Sequence, residues 1–377
     1  MHTTELTALP LPPGVRSRHL MLSSGLNMHV LEAGQDKQQP LVLLLHGFPE
    51  LAFSWRHQLP SLAQAGYHVV APDLRGCGRT TGGDHRYDGD WRASQLLNMV
   101  QDTLALVQAL GHQHVHAVIG HDFGSPLSAW CALTHPEVFR SLVLMSAPFG
   151  GAPDATTAQQ VFDHLHHQAQ ALQHLNPPRK HYHWYFASPQ ANQDMWHPPQ
   201  GLHDFLRAYY HVKSADWSPN QPHPLSSWHA PVMAQLPHYY VMPLDKSMPE
   251  AVAEYMPNAS AIAACEWLTE DELSVYVQEY ARTGFQGGLN WYRGAIDHDA
   301  FMSMTRSGGQ AITVPSGFIG GAADWGVLQT PGAFEKMQSH GCTDLRMCEL
   351  IPAAGHWVQQ EQAEAVNLSL LRFLAQL

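Results

Sequence analysis

Residues 115–124 read V-H-A-V-I-G-H-D-F-G, and the fold turns on how they are understood. The mostly apolar run 115–119 suits a buried strand, and the residues after it fit a sharp turn from strand into helix. Gly120 and Gly124 flank Asp122 at the spacing of a G-x-S-x-G turn, with aspartate where serine would stand. In such a turn the middle residue is strained and held above the sheet, so its side chain reaches a substrate. Small flanking residues let the new helix pass close to the strand. The competing reading makes Asp122 the N-cap of a helix beginning near Pro126. The rest of the chain has to decide.

Upstream, residues 1–25 carry Pro10, Pro12 and Pro13 and read as an irregular lead-in. Residues 26–32 alternate as a strand does, and 41–45 (L-V-L-L-L) form a continuous buried-strand run that stops at His46-Gly47-Phe48-Pro49. A helix is expected over 55–65, a strand over 67–71, and then P-D-L-R-G-C-G-R-T, a turn dense in glycine and charge. Helical periodicity covers 96–110 and ends at Gly111. Downstream of the central stretch come a helix over 126–134 and a strand over 142–145. Short, nearly all-apolar strands alternating with helices predict an α/β fold, a mostly parallel sheet with helices on both faces.

The alternation stops after Pro148. Residues 149–300 are rich in Pro, His, Trp and Tyr, with helical pieces such as 270–281 and no strand rhythm. Strands return at 312–320 and 345–351, and a last amphipathic helix aligns Val366, Leu370, Phe373 and Leu374. The expected organisation is a core from 1–148 and 301–377, interrupted by a helical insertion at 149–300.

Bulk properties narrow the function. A net charge of −12, from 32 acidic and 20 basic residues, argues against nucleic acid or an anionic membrane surface as partner. Five scattered cysteines without C-x-x-C spacing suggest neither a disulfide framework nor a zinc site, so a reducing, cytoplasmic setting is expected. No secretory signal is recognisable at the N-terminus, and the 41–45 run is too short to span a bilayer.

A carboxylate nucleophile needs a partner to cleave the ester it forms, an orienter for that partner, and donors for the developing oxyanion. His356, in A-A-G-H-W-V, follows the strand ending near Ile351; Asp324, in G-G-A-A-D-W, follows the strand before it. Both loops belong at the carboxyl edge of the sheet, where open α/β sheets bind ligands. Nucleophile, acid and histidine then occur in α/β-hydrolase order. Asp154, after the strand ending near Met145, is the second candidate for the orienting acid. Gly47 lets the Phe48 N–H face the turn, and the Phe123 N–H supplies a second oxyanion donor.

Taken together, H-G-F-P, D-L-R-G-C-G-R-T, G-H-D-F-G, the Asp324 and His356 loops and G-L-N-W-Y-R (288–293) resemble an epoxide hydrolase of the α/β-hydrolase fold. The resemblance runs from about residue 15 almost to the end. It implies that the insertion is a helical cap and that two cap tyrosines hydrogen-bond the epoxide oxygen. By motif these are Tyr292, in N-W-Y-R, and Tyr182, in H-Y-H-W-Y-F, although Tyr185, Tyr209, Tyr210, Tyr239 and Tyr240 crowd the same segment. It further implies a small hydrophobic epoxide as substrate, a covalent Asp122 ester, and no metal or organic cofactor. It leaves the oligomeric state open.

Two rivals stay open at this point. A haloalkane or haloacid dehalogenase also uses an aspartate here, but Phe48 and Phe123 stand where those families have halide- or carboxylate-binding residues. A non-catalytic ligand-binding protein on the same fold is the other. Among the 27 histidines, the cluster His164, His166, His167, His174, His181 and His183 invites a metal, as does the Asp84, Asp88 and Asp90 loop. Neither completes a recognisable ligand set, and both are expected on solvated surface.

Overall fold

The computed structural model describes residues 6–34 and 38–377. One eight-stranded sheet runs through it in the order β1-β2-β4-β3-β5-β6-β9-β10. Its strands are β1 Arg16–Met21, β2 Asn27–Ala33, β3 Leu41–Leu45, β4 His68–Pro72, β5 Ala117–His121, β6 Leu142–Met145, β9 Ser316–Gly321 and β10 Leu345–Ile351. Two further strands, β7 Arg179–His181 and β8 Val241–Pro243, pair with each other apart from it. From β4 to β10 neighbouring strands are parallel, whereas β1 and β2 enter antiparallel. Every residue of β3, β4, β5 and β6 is buried, as expected of parallel strands covered on both faces.

Three expectations need correcting. Residues 1–25 are not wholly irregular: 1–5 lie outside the described residues, but β1 occupies Arg16–Met21. Its side chains are mostly exposed, so no apolar alternation marks it. Its backbone pairing with β2 and the Arg18 fork onto Glu32 (2.6 and 2.7 Å) hold it, and its arginines suit an edge strand. The strand expected over 312–320 begins only at Ser316; Ile312 makes an isolated bridge to Cys342, and Pro315 intervenes. The segment without strand rhythm contains the short β7–β8 ladder.

Between β6 and β9 the chain adds no strand to the main sheet and is built mostly from helices, including Ala155–Gln173, Leu202–Lys213, Glu270–Thr283 and Gln286–Ile296. The Glu270–Thr283 helix starts with a capping box between Thr269 and Glu272 and stops at Gly284. The closing helix, Ala363–Leu374, buries Val366, Leu370, Phe373 and Leu374 against the core. Among the described residues, no helix is long and apolar enough to cross a membrane.

Candidate active site

β5 ends at His121, and the Gly124–Thr134 helix begins three residues later. Asp122 sits at the apex with φ of +53°, the left-handed region that a non-glycine residue rarely occupies. Close approach forces the turn. A Cβ on Gly120 would lie 1.9 Å from the Gly124 carbonyl oxygen, and one on Gly124 would lie 2.1 Å from that of Leu45. Asp122 does not cap the helix: Phe123 is the N-cap residue and no side chain caps it. Its Oδ1 instead accepts the Phe48 N–H at 2.9 Å, an approach for which Gly47 leaves room. The Phe123 N–H belongs to the helix start, where amides lack an intrahelical acceptor.

His356 and Asp324 meet this turn from the loops after β10 and β9. The His356 Nδ1–H donates to Asp324 Oδ1 at 3.1 Å, which leaves Nε2 as the free nitrogen. Nε2 lies 3.2 Å from Asp122 Oδ2, outside hydrogen-bond alignment, and has no hydrogen-bond partner among the described residues. Burial raises the Asp122 carboxyl, but the close approach and charge of His356, with Lys213 and His121 behind, hold it well below the usual range. Burial opposes the Asp324 charge too, and His356, the Ser146 hydroxyl and the Gly326 amide outweigh it. Asp154 takes no part: it caps the Ala155–Gln173 helix, accepting the Thr156 and Thr157 amides.

Sequence reasoning missed several neighbours. Ser146, itself at φ +68°, donates to Asp324 Oδ2 at 2.5 Å and stands 3.0 Å from His356 Nδ1. Glu50 and His121 form a fully buried pair at 2.6 Å, and the other His121 nitrogen reaches the His356 carbonyl at 2.7 Å. Burial opposes both charges, yet mutual attraction raises His121 and lowers Glu50, so the pair is held ionised. The position of His121, beside Asp122 in G-H-D-F-G, was the only signal for it. Glu361 accepts the Gly355, Trp357 and Ala215 amides at 2.8, 2.9 and 2.8 Å, clasping the His356 loop from both sides.

Across a cavity of about 480 Å³ from these groups stand Tyr182 and Tyr292, both lining it with Asp122 and Phe123. Their ring centroids are 5.9 Å apart, and Phe48 and Phe186 pack edge-on against Tyr292. Burial and the Asp122 charge push both phenols well above their usual range, so both carry their protons. The other tyrosines take different posts. Tyr185 bonds Asp194, Tyr210 donates to the Pro49 carbonyl, and Tyr239 donates to Asn220. Aromatic and aliphatic side chains dominate the lining, and Asp122 is the one acidic or basic residue (Asp, Glu, Lys, Arg) in it. Two of the clustered histidines, His181 and His183, line the same cavity, while Asp84 is paired with Arg86. No group of three His, Cys, Asp or Glu among the described residues could hold a metal ion.

A family model described as the alpha/beta hydrolase fold matches residues 40–181. Over 361 residues the chain is 32% identical to Epoxide hydrolase B of Mycobacterium tuberculosis, covering 93% of this chain and 96% of that protein. Epoxide hydrolase A of the same organism is 31% identical over 369 residues, covering 96% and 98%. A solved epoxide hydrolase from an endophytic Streptomyces superposes with a TM-score of 0.77 at 30% identity, covering 97% and 96%.

Proposed function

The chain belongs to the epoxide hydrolases of the α/β-hydrolase fold, and from that premise we propose that it opens a small hydrophobic epoxide through a covalent ester on Asp122. The observation that carries this reading is the placement of a strained, ionised carboxylate between a free histidine nitrogen and two protonated tyrosines.

In the first step Asp122 Oδ2 attacks a ring carbon, a new C–O bond forms, and the strained C–O bond breaks onto the epoxide oxygen. Tyr182 and Tyr292 take up the developing charge by hydrogen bonding or by giving a proton, from within the 149–300 segment acting as a cap. In the second step His356 Nε2 removes a proton from water as its oxygen adds to the ester carbonyl carbon. Asp324 balances the imidazolium that forms, and the Phe48 and Phe123 amides hold the oxyanion. Collapse breaks the bond between the Asp122 carboxyl carbon and Oδ2; Oδ2 leaves on the substrate carbon and takes up the proton held by His356, the water oxygen stays on Asp122, and a vicinal diol departs. Every step uses the side chains named, the two backbone amides and water. The mostly apolar lining, with the Asp122 carboxylate in it and no Lys or Arg among the described residues, favours uncharged epoxides over carboxylate-bearing ones.

The test tracks the water oxygen. A single turnover with excess enzyme in heavy-oxygen water should give mostly unlabelled diol and a labelled Asp122 peptide. Fully labelled diol in that first turnover would mean direct attack of water on the epoxide, and the ester would have to be abandoned.

A further inference from the structure

Lys213, the last residue of the Leu202–Lys213 helix, is 3% exposed and lies behind the catalytic histidine. Its ammonium stands 5.5, 5.9, 5.1 and 5.3 Å from the ring centroids of Tyr209, Tyr239, Tyr240 and Trp357. Among the described residues it forms no ion pair within 4 Å. Its backbone carbonyl accepts the His356 N–H at 2.8 Å, and Gly355 passes so close that a Cβ there would meet that carbonyl oxygen at 2.6 Å. A buried ammonium costs several kcal/mol in desolvation, on the order of what aromatic faces only partly return. The same cage filled by a methionine would be less costly, so the charge itself calls for an explanation.

We propose that Lys213 is a positioning cation that keeps His356 in its base form during ester hydrolysis, acting on it by charge across the aromatic cage. This rests on the covalent reading above. In the ester, Asp122 has lost its charge. The groups then facing His356 are Asp324, with Ser146 on it, from the sheet edge; the Glu50–His121 pair beneath; and Lys213 behind. Two cations therefore face two carboxylates, and the imidazole gains nothing from taking a proton prematurely. Without the ammonium, the surroundings carry a net negative charge that favours the imidazolium, which cannot accept a proton from water. Glu361, behind the same loop, is pushed up to about 8 by burial and is common to all variants compared. Burial lowers Lys213 from the ordinary lysine value, and the charges of Asp122, Asp324 and Glu50 offset this only in part.

The experiment separates the two half-reactions of K213M and K213R by rapid-mixing kinetics with an aryl epoxide between pH 5 and 9. In K213M the acid limb of ester hydrolysis should move alkaline by about one pH unit, which is about a tenfold loss on that limb. Alkyl-enzyme should then accumulate by mass at neutral pH, and K213R should restore the profile. An unmoved limb in K213M, whatever its melting temperature, overturns the proposal; so does a K213R profile shifted as far as that of K213M. If K213M does not fold, K213Q is read by the same criteria. H356Q, which leaves Lys213 in place, tests the ester separately: if it never accumulates alkyl-enzyme, the covalent reading fails.

Discussion

The molecule contains two rows of three side chains with nearly the same spacing. In one, Asp122, His356 and Asp324 stand 3.2 and 3.1 Å apart. In the other, Ser17 Oγ, His29 and Asp73 stand 2.8 and 2.7 Å apart, with the histidine and the acid equally buried. By distance alone the second row is the tighter, and it has the residue types of a serine hydrolase. What separates them is everything around the distances. Asp122 sits at a strained apex facing a cavity with amide donors at hand, whereas Ser17 lies in the regular edge strand β1 with its side chain exposed. Asp73 is occupied as a structural anchor, accepting the Ala52 and Arg79 amides as well as His29. A hydrogen-bonded triad is thus a common way to hold a buried acid. It becomes a site only where the nucleophile is strained, open and provided with oxyanion donors.

The comparison breaks most readily at Asp122. Asp122→Ala should lower diol formation by more than about 10⁴-fold, since no other group replaces the nucleophile. The melting temperature should stay near that of the parent, because alanine removes a buried charge but keeps the left-handed backbone and loses the Phe48 N–H bond; appreciable residual turnover would refute the assignment. His356→Gln should keep alkylation but stall hydrolysis, so that intact-protein mass rises by the mass of the epoxide. Tyr292→Phe should slow ring opening by about 10²-fold and leave ester hydrolysis nearly unchanged. Silence there and in Tyr182→Phe would remove the reason to prefer epoxides over halides.

In the second row the readout is stability. His29→Ala leaves the buried Asp73 carboxylate without its 2.7 Å side-chain partner and should cost about 3 kcal/mol of unfolding free energy, measured in denaturant, with turnover within about twofold. Burial pushes the Asp73 carboxyl up, but the His29 charge and hydrogen bond win and bring it from 3.8 to about 2. A lowered acid stabilises the fold above its unfolded value and loses that contribution as pH falls from about 4 through 2. Acid unfolding of His29→Ala should therefore begin at higher pH than in the parent. Ser17→Ala, the smallest change, should alter neither rate nor stability by more than about 0.5 kcal/mol; a loss of turnover would make the second row a site after all.

Local chemistry explains how much was legible in the sequence. The limits of β3, β6 and β10 follow from unbroken apolar or alternating runs, and Gly120, Asp122 and Gly124 announce a turn because only small residues permit it. Asp324 and His356 were found because topology fixes which loops reach the sheet edge. Edge strand β1 was hidden by its exposed, charged side chains. Glu50, Ser146, Lys213 and Glu361 were hidden for another reason. Each has a partner far away in sequence, and nothing in P-E-L, M-S-A, V-K-S or Q-Q-E marks a buried polar residue. The choice of Tyr182 and Tyr292 among many tyrosines came from resemblance to a family.

The long reach of the site's bonds bears on how the protein comes into being. Phe48 meets Asp122 across 74 residues, and His121 meets the His356 carbonyl across 235. Such closures are slow and come late, because the intervening chain must first be ordered. A chain emerging from the ribosome therefore carries Asp122 long before His356, and the two are joined only when the final strand and helix dock. Refolding from denaturant should show the same order. Tryptophan fluorescence should recover ahead of alkylation, alkylation should not lag behind ester hydrolysis, and the appearance of diol should mark the completed molecule.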